Sequence, residues 1–199
     1  MVDVVGNSRK ADVRAAVLSA RRKLSHSQRE RDAVALCGHL PGVVAAGHTV
    51  CAYVPVGSEP GSPAVLDTLR EIGARVLLPV AGHDASGVPT ALQWGEYVPG
   101  SLVEARYELL EPPAPWLAAE AIAEAATVLV PALAVDRMGR RLGRGAGYYD
   151  RSLPLAAPDA LLVGVVRDDE LVEHLPAEPH DVAMTHALTP GRGLVRLGE

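Results

Sequence analysis

Residues 127–151 read TVLVPALAVDRMGRRLGRGAGYYDR. The stretch opens on apolar Val128, Leu129 and Val130, led in by Thr127 and stopped by Pro131, the mark of a short buried strand. Beyond Pro131 the composition is not that of an ordinary loop. Gly139, Gly143, Gly145 and Gly147 are interleaved with Arg137, Arg140, Arg141 and Arg144, and the run closes on Tyr148, Tyr149, Asp150 and Arg151. Glycine lets backbone N–H groups turn inward without steric cost, and arginine carries planar donor forks that match phosphate oxygens. A flexible, cationic, donor-rich loop after a strand suits a polyphosphate.

Working outward, the apolar runs at 49–53, 74–79 and 160–166 read as further buried strands, and 91–94 as a short one. Val182, Met184, His186 and Leu188 alternate as a last strand. Ser8 is an N-cap candidate for a helix reaching Lys23, with Val13, Val17, Ala20 and Leu24 as its buried stripe. Residues 25–37 continue as a second helix that 38–47 break, and Pro63 opens a third that Gly73 stops. The alanine-rich 116–126 segment reads as a helix leading into the central strand, while 80–89 and 97–115 are irregular. A short helix over 149–155 would add its first N–H groups to an anion site. Strands alternating with helices predict a single three-layer α/β/α domain over residues 1–199, with a mostly parallel, Rossmann-like sheet.

Composition narrows the function. Hydrophobic residues make up 48% and charged residues 22%, ordinary for a globular chain, and with no phenylalanine the core falls to Val, Leu, Ala and Ile. A net charge of −5 argues against a nucleic-acid partner, which needs a broad basic face. Cys37 and Cys51 read as small buried hydrophobes in a reducing compartment. The N-terminal MVDVVGNSRK is too polar for a signal peptide, and no apolar run approaches the ~18 residues of a membrane span. A cytoplasmic monomer without a membrane partner is expected.

Competing readings of the loop differ in their chemistry. No G-x-x-x-x-G-K-[ST] is present, which removes the P-loop. Gly143, Gly145 and Gly147 give G-x-G-x-G with Asp168 about 20 residues on, as a dinucleotide fold wants, but the glycines stand well beyond the strand they should adjoin. A solvated surface tract is the plainer reading of glycine and arginine alone, yet it has no use for paired tyrosines. His174, His180 and His186 lack neighbouring cysteines, and zinc is not expected.

Val130-Pro131-Ala132-Leu133-Ala134, Asp136, Gly139 and the run from Arg141 to Arg151 together resemble the signature of the 5-formyltetrahydrofolate cyclo-ligase family. Val135 stands where that family usually has phenylalanine and Ala146 where it often has glycine or lysine; neither removes a functional group. The resemblance implies ATP- and Mg²⁺-dependent cyclisation of 5-formyltetrahydrofolate to 5,10-methenyltetrahydrofolate with release of ADP and phosphate. In that course the N5-formyl oxygen attacks the γ-phosphoryl group and N10 then closes on the activated carbon.

The resemblance also implies a residue set. Lys10 and Arg14, four apart on the rim of the first helix, would contact ATP; on spacing alone they read as a snorkelling flank. Arg141, Leu142, Gly143, Arg144, Gly145, Ala146, Gly147, Tyr148 and Tyr149 would complete the ATP site, with Arg144 and Tyr149 the catalytic candidates. Val54 and Glu59 would border the pterin, Glu59 accepting from neighbouring ring N–H groups. Tyr148 would pack there, and Trp94 is a stacking candidate, though such a ring more often packs into core or rim. Asp150 and Asp181 would hold Mg²⁺. Glu170 stands where the family usually carries glutamine, so this chain has a carboxylate where the resemblance implies an amide.

Overall fold

The computed structural model describes residues 10–105, 109–176 and 181–198. Its strands in chain order are β1 (Thr49–Cys51), β2 (Arg75–Val80), β3 (Gln93–Glu96), β4 (Val103–Glu104), β5 (Leu110–Glu111), β6 (Ala125–Pro131), β7 (Ala134–Asp136), β8 (Arg141–Leu142), β9 (Leu161–Val165), β10 (Leu171–Val172), β11 (His186–Thr189) and β12 (Gly193–Arg196). The helices are α1 (Lys10–Arg22), α2 (His26–His39), α3 (Ala64–Glu71) and α4 (Tyr148–Ser152). Among the described residues, seven strands form the main sheet in the order β12-β11-β9-β6-β1-β2-β3. Pairing is parallel from β11 through β9, β6 and β1 to β2, and antiparallel at the two edges.

This order places the site. From β1 the chain moves outward to β2 and β3, whereas from β6 it moves the other way to β9 and β11. The carboxyl ends of β1 and β6 therefore flank a switch point, where an open α/β sheet leaves a crevice for ligands. Val54 and Glu59 come after β1; Ala132 and the arginine-rich segment come after β6.

Each face of the sheet is covered. Leu36, Leu40, Leu66 and Leu69 from the α2 and α3 region pack with Val50, Val76 and Leu129 on one side. On the other, Cys51, Leu77, Val128 and Val130 pack with Ile122 and Leu153, which lie in short 3-10 turns rather than α-helices. A smaller sheet, β10-β7-β8, stands beyond β6, and α1 lays Val13 and Val17 on its Leu133, Ala134 and Leu142. No helix among the described residues is long and apolar enough to cross a membrane.

Several local expectations are corrected. The buried line of α1 is Val13, Val17 and Arg21, while Ala20 and Leu24 are only partly covered, because the Arg21 guanidinium has carboxylate partners below it. Ser8 lies outside the described residues. Ser25 does cap α2, accepting the Gln28 N–H at 3.2 Å, but the helix continues through Gly38 to His39 and closes in a Leu40–Gly42 turn. The 116–126 segment is not an α-helix. Leu117 pairs its backbone with Trp94, Ala119–Glu124 is a 3-10 turn, and Ala125 already belongs to β6, paired with Thr49. Sheet pairing here overrides the alanine helix propensity. Three antiparallel pairs are additions to the expected order: β12 folds back on β11, β7 with β8 lies inside the segment that reads as loop, and β4 pairs with β5 in the stretch that reads as irregular.

Candidate active site

Asp136 makes the β7–β8 hairpin. Its side chain, wholly buried, accepts the Met138 and Arg140 N–H groups at 2.9 Å each through one oxygen and the Leu175 N–H at 2.9 Å through the other. An aspartate bonding the backbone just ahead of it closes a turn. Gly139 completes that turn at φ +84, and its Cα faces the Met184 carbonyl so closely that any Cβ would collide. The Gly139 carbonyl accepts the Met184 N–H at 2.7 Å. This contact draws the segment after Asp181 against the hairpin.

The hairpin ends on β8, and β8 holds Arg141 inward. Arg141 is 9% exposed, donates to the Val182 carbonyl at 3.2 Å and ion-pairs with Asp150. Burial pushes the Arg141 pKa down, while the Asp150 and Asp181 carboxylates and Tyr149 pull it back up. Gly143 and Gly145, after β8, lie open toward α1. Arg14 donates from Nε to the Gly143 carbonyl at 2.9 Å, and a Cβ on Gly145 would sit 3.8 Å from its guanidinium. Lys10 Nζ lies 3.2 Å from Asp181 Oδ2. Arg144 reaches across the crevice to Glu59, Nε to Oε1 at 3.1 Å, and Glu59 accepts the Val56 N–H at 3.0 Å with its other oxygen.

The crevice holds one cavity of about 450 Å³, within the range of small-molecule sites. Lys10, Arg14, Val54, Glu59, Asp150 and Asp181 are on its wall together with residues 141–149. Trp94 is not. Its side chain is fully buried in the core cluster with Cys51 and Leu77, so the stacking expectation is corrected to a packing role. Tyr148 borders the cavity and its hydroxyl meets His83 Nε2 at 3.0 Å, with the rings edge to face. The Tyr149 hydroxyl is buried with no hydrogen-bond partner, and burial raises its pKa well above the usual phenol value. It stays protonated at any ordinary pH.

Helix α4 is five residues long and is preceded by Gly147 in the left-handed region, so it brings little of the dipole of a longer helix. The dinucleotide reading has no geometric support, since a hairpin separates β6 from the glycines. Asp168 instead accepts from Thr189 Oγ1 at 2.7 Å and the Gly191 N–H at 2.9 Å, fixing the turn after β11.

Asp150 and Asp181 suit Mg²⁺. No group of three or more His, Cys, Asp or Glu comes together among the described residues, which leaves no dedicated metal cage. Mg²⁺ does not require one, because one or two carboxylates complete its shell with phosphate oxygens and water. Both carboxylates face the same cavity and both act on Arg141. His180 lies outside the described residues.

A buried network behind the cavity is nearly hidden in the sequence. Glu170, 4% exposed, holds Arg21 through two oxygens, at 2.6 Å to Nε and 2.7 Å to Nη2, and accepts the Arg167 N–H at 2.8 Å. Arg167 in turn binds Asp32 at 3.1 Å and the Ser58 carbonyl at 3.1 Å, one residue before Glu59. The usable signal is Arg21 four residues past Val17, a cation in an apolar stripe that demands a buried partner.

Residues 6–190 match the 5-formyltetrahydrofolate cyclo-ligase family. The chain belongs to that family. It is 63% identical over 188 residues to the 5-formyltetrahydrofolate cyclo-ligase of Mycolicibacterium smegmatis, covering 94% of this chain and 97% of that one. The Escherichia coli K12 cyclo-ligase is 32% identical over 76% of this chain and 82% of its own. Among solved structures, Aquifex aeolicus 5,10-methenyltetrahydrofolate synthetase superposes with a TM-score of 0.75 at 25% identity, covering 96% of this chain and 93% of that one. A synthetase from Mycoplasma pneumoniae shares the fold, with a TM-score of 0.68 at 19% identity over 89% and 96% of the two chains. The chain thus shares its overall fold with solved methenyltetrahydrofolate synthetases.

Proposed function

We propose that this chain cyclises 5-formyltetrahydrofolate to 5,10-methenyltetrahydrofolate at the expense of ATP, with the triphosphate along residues 141–149 and the pterin toward Val54 and Glu59. One observation carries the reading: four segments far apart in sequence, around Arg14, Glu59, Arg144 and Asp181, converge on a single cavity at the sheet's switch point. The N-formyl oxygen is a poor leaving group as it stands. It takes the γ-phosphoryl group of ATP as the bond to ADP breaks; N10 then attacks the formyl carbon, the carbon–oxygen bond breaks to release phosphate, and N10 loses its proton.

The chain's residues supply position and charge, which is most of what phosphoryl transfer asks. Arg144 tracks the moving phosphoryl group, Arg141 fixes Asp150, and Tyr149 offers a protonated hydroxyl. Asp150 and Asp181 would hold Mg²⁺, whose charge offsets that of the triphosphate. One domain over residues 1–199, a monomer and a cytoplasmic setting belong to the same proposal; the unpaired Cys37 and Cys51 agree with a reducing compartment.

Protein, Mg-ATP and 5-formyltetrahydrofolate are mixed and the methenyl product is monitored by its absorbance. No product at micromolar protein would end the proposal. Lys10→Ala combined with Arg14→Ala is expected to weaken ATP binding by about tenfold or more in calorimetry, since two charge-assisted contacts are lost. Unchanged affinity would make them a solvated flank. Glu59→Gln keeps an acceptor for Val56 and removes the charge, so the folate KM rises while ATP affinity holds; equal changes in both would misplace Glu59.

A further inference from the structure

We infer that Arg21 is a folate-binding residue, its Nη1 donating a hydrogen bond to a neutral carbonyl oxygen at the ring end of the substrate. The inference rests on the function proposed above. Arg21 is 1% exposed and yet forms part of the cavity lining. Two of its three guanidinium nitrogens are engaged: Nε with Glu170 at 2.6 Å, and Nη2 with Glu170 and the Ala132 carbonyl at 2.7 Å each. Nη1 is buried with no protein partner. Leaving a buried guanidinium donor unmet is costly, so a group beside a ligand cavity is completed by the ligand.

Charge selects the acceptor. Glu170 neutralises Arg21 through both carboxylate oxygens, so the remaining N–H belongs to a pair with no net charge. A phosphate oxygen would be drawn instead to Arg14 and Arg144, which lie at the open rim beside the glycines. Ala132, whose carbonyl accepts from Arg21, lies beside it, and the Tyr53 ring is close enough to feel both Arg21 and Glu59. The Tyr53 hydroxyl is already committed to the Pro60 carbonyl at 2.8 Å. A flat heterocycle with a carbonyl oxygen fits that floor, and two such oxygens exist at the ring end of the substrate, one on the N5-formyl group and one on the pterin ring.

Arg21→Lys tests this, because lysine keeps the cation beside Glu170 and removes the planar fork that carries Nη1. Wild type is first shown to make the methenyl product; failure there removes the proposed function and not merely this contact. With that in hand, binding of 5-formyltetrahydrofolate, 5-methyltetrahydrofolate and ATP is compared between wild type and variant. A loss of about tenfold or more for the formyl compound alone places Nη1 on the formyl oxygen. An equal loss for both folates places it on the ring carbonyl. Unchanged folate binding, or an equal loss of ATP binding, overturns the inference. If Arg21→Lys does not fold, Arg21→Gln with Glu170→Gln leaves no buried net charge and removes the same donor, and the same three outcomes apply.

Discussion

Replacing Arg144 with alanine is expected to lower turnover by ~10²-fold or more, the usual consequence of removing a donor aimed at charge that develops in a transition state. The fold should not notice. Arg144 is half exposed and its partner in the structure is Glu59, which keeps the Val56 N–H after the change. An ion pair of that exposure contributes ~1 kcal/mol at most, which moves the melting temperature of a domain this size by about 4 °C or less. Loss of rate with retained melting temperature separates catalysis from architecture. Turnover within about threefold of wild type, far from the expected ~10², would mean that the arginine serves only to hold Glu59. The comparison is sharpened by Arg144→Lys, which keeps the charge but not the planar fork, and should recover part of the rate.

The strands that carry the site are legible because burial on both faces writes itself as uninterrupted apolar runs: 49–53, 74–79 and 160–166 overlap β1, β2 and β9. The stop after β6 is legible from Pro131, and the glycine–arginine tract from its composition. What does not show is the order imposed on that tract. Asp136 enters the sequence reading only as a member of the family signature with no role attached, whereas in the fold it is buried and bonds three N–H groups to make a hairpin. The helix expected over 116–126 fails for a related reason. Alanine is permissive, and the backbone of Leu117 and Ala125 is taken by Trp94 and Thr49, partners that are remote in sequence. Trp94 is ambiguous in sequence between ligand and core, and only burial decides between them. Lys10 and Arg14 are singled out by the family resemblance, since spacing alone makes them a solvated flank; Arg21, on the same helix, is hidden because its partner lies 149 residues away.

That partner sets the second large effect. Glu170→Ala is expected to destabilise the protein by about 3–5 kcal/mol, the cost of leaving one member of a buried ion pair without the other. Arg21 and Arg167 are 1% and 6% exposed, so neither guanidinium can turn to water, and the Arg167 N–H loses its acceptor as well. Against a total of about 5–15 kcal/mol for a domain, urea unfolding should show a clear fall in midpoint with an unchanged slope. Glu170→Gln keeps one acceptor but turns an NH₂ group toward donors, and its loss should fall between wild type and alanine. The same network reaches Ser58 through Arg167, so the alanine variant should also raise the folate KM by letting the Glu59 loop drift. A midpoint shift worth less than about 1 kcal/mol, the scale of an exposed pair, would show that water enters beneath Arg21 and that the charge is not confined as the structure has it.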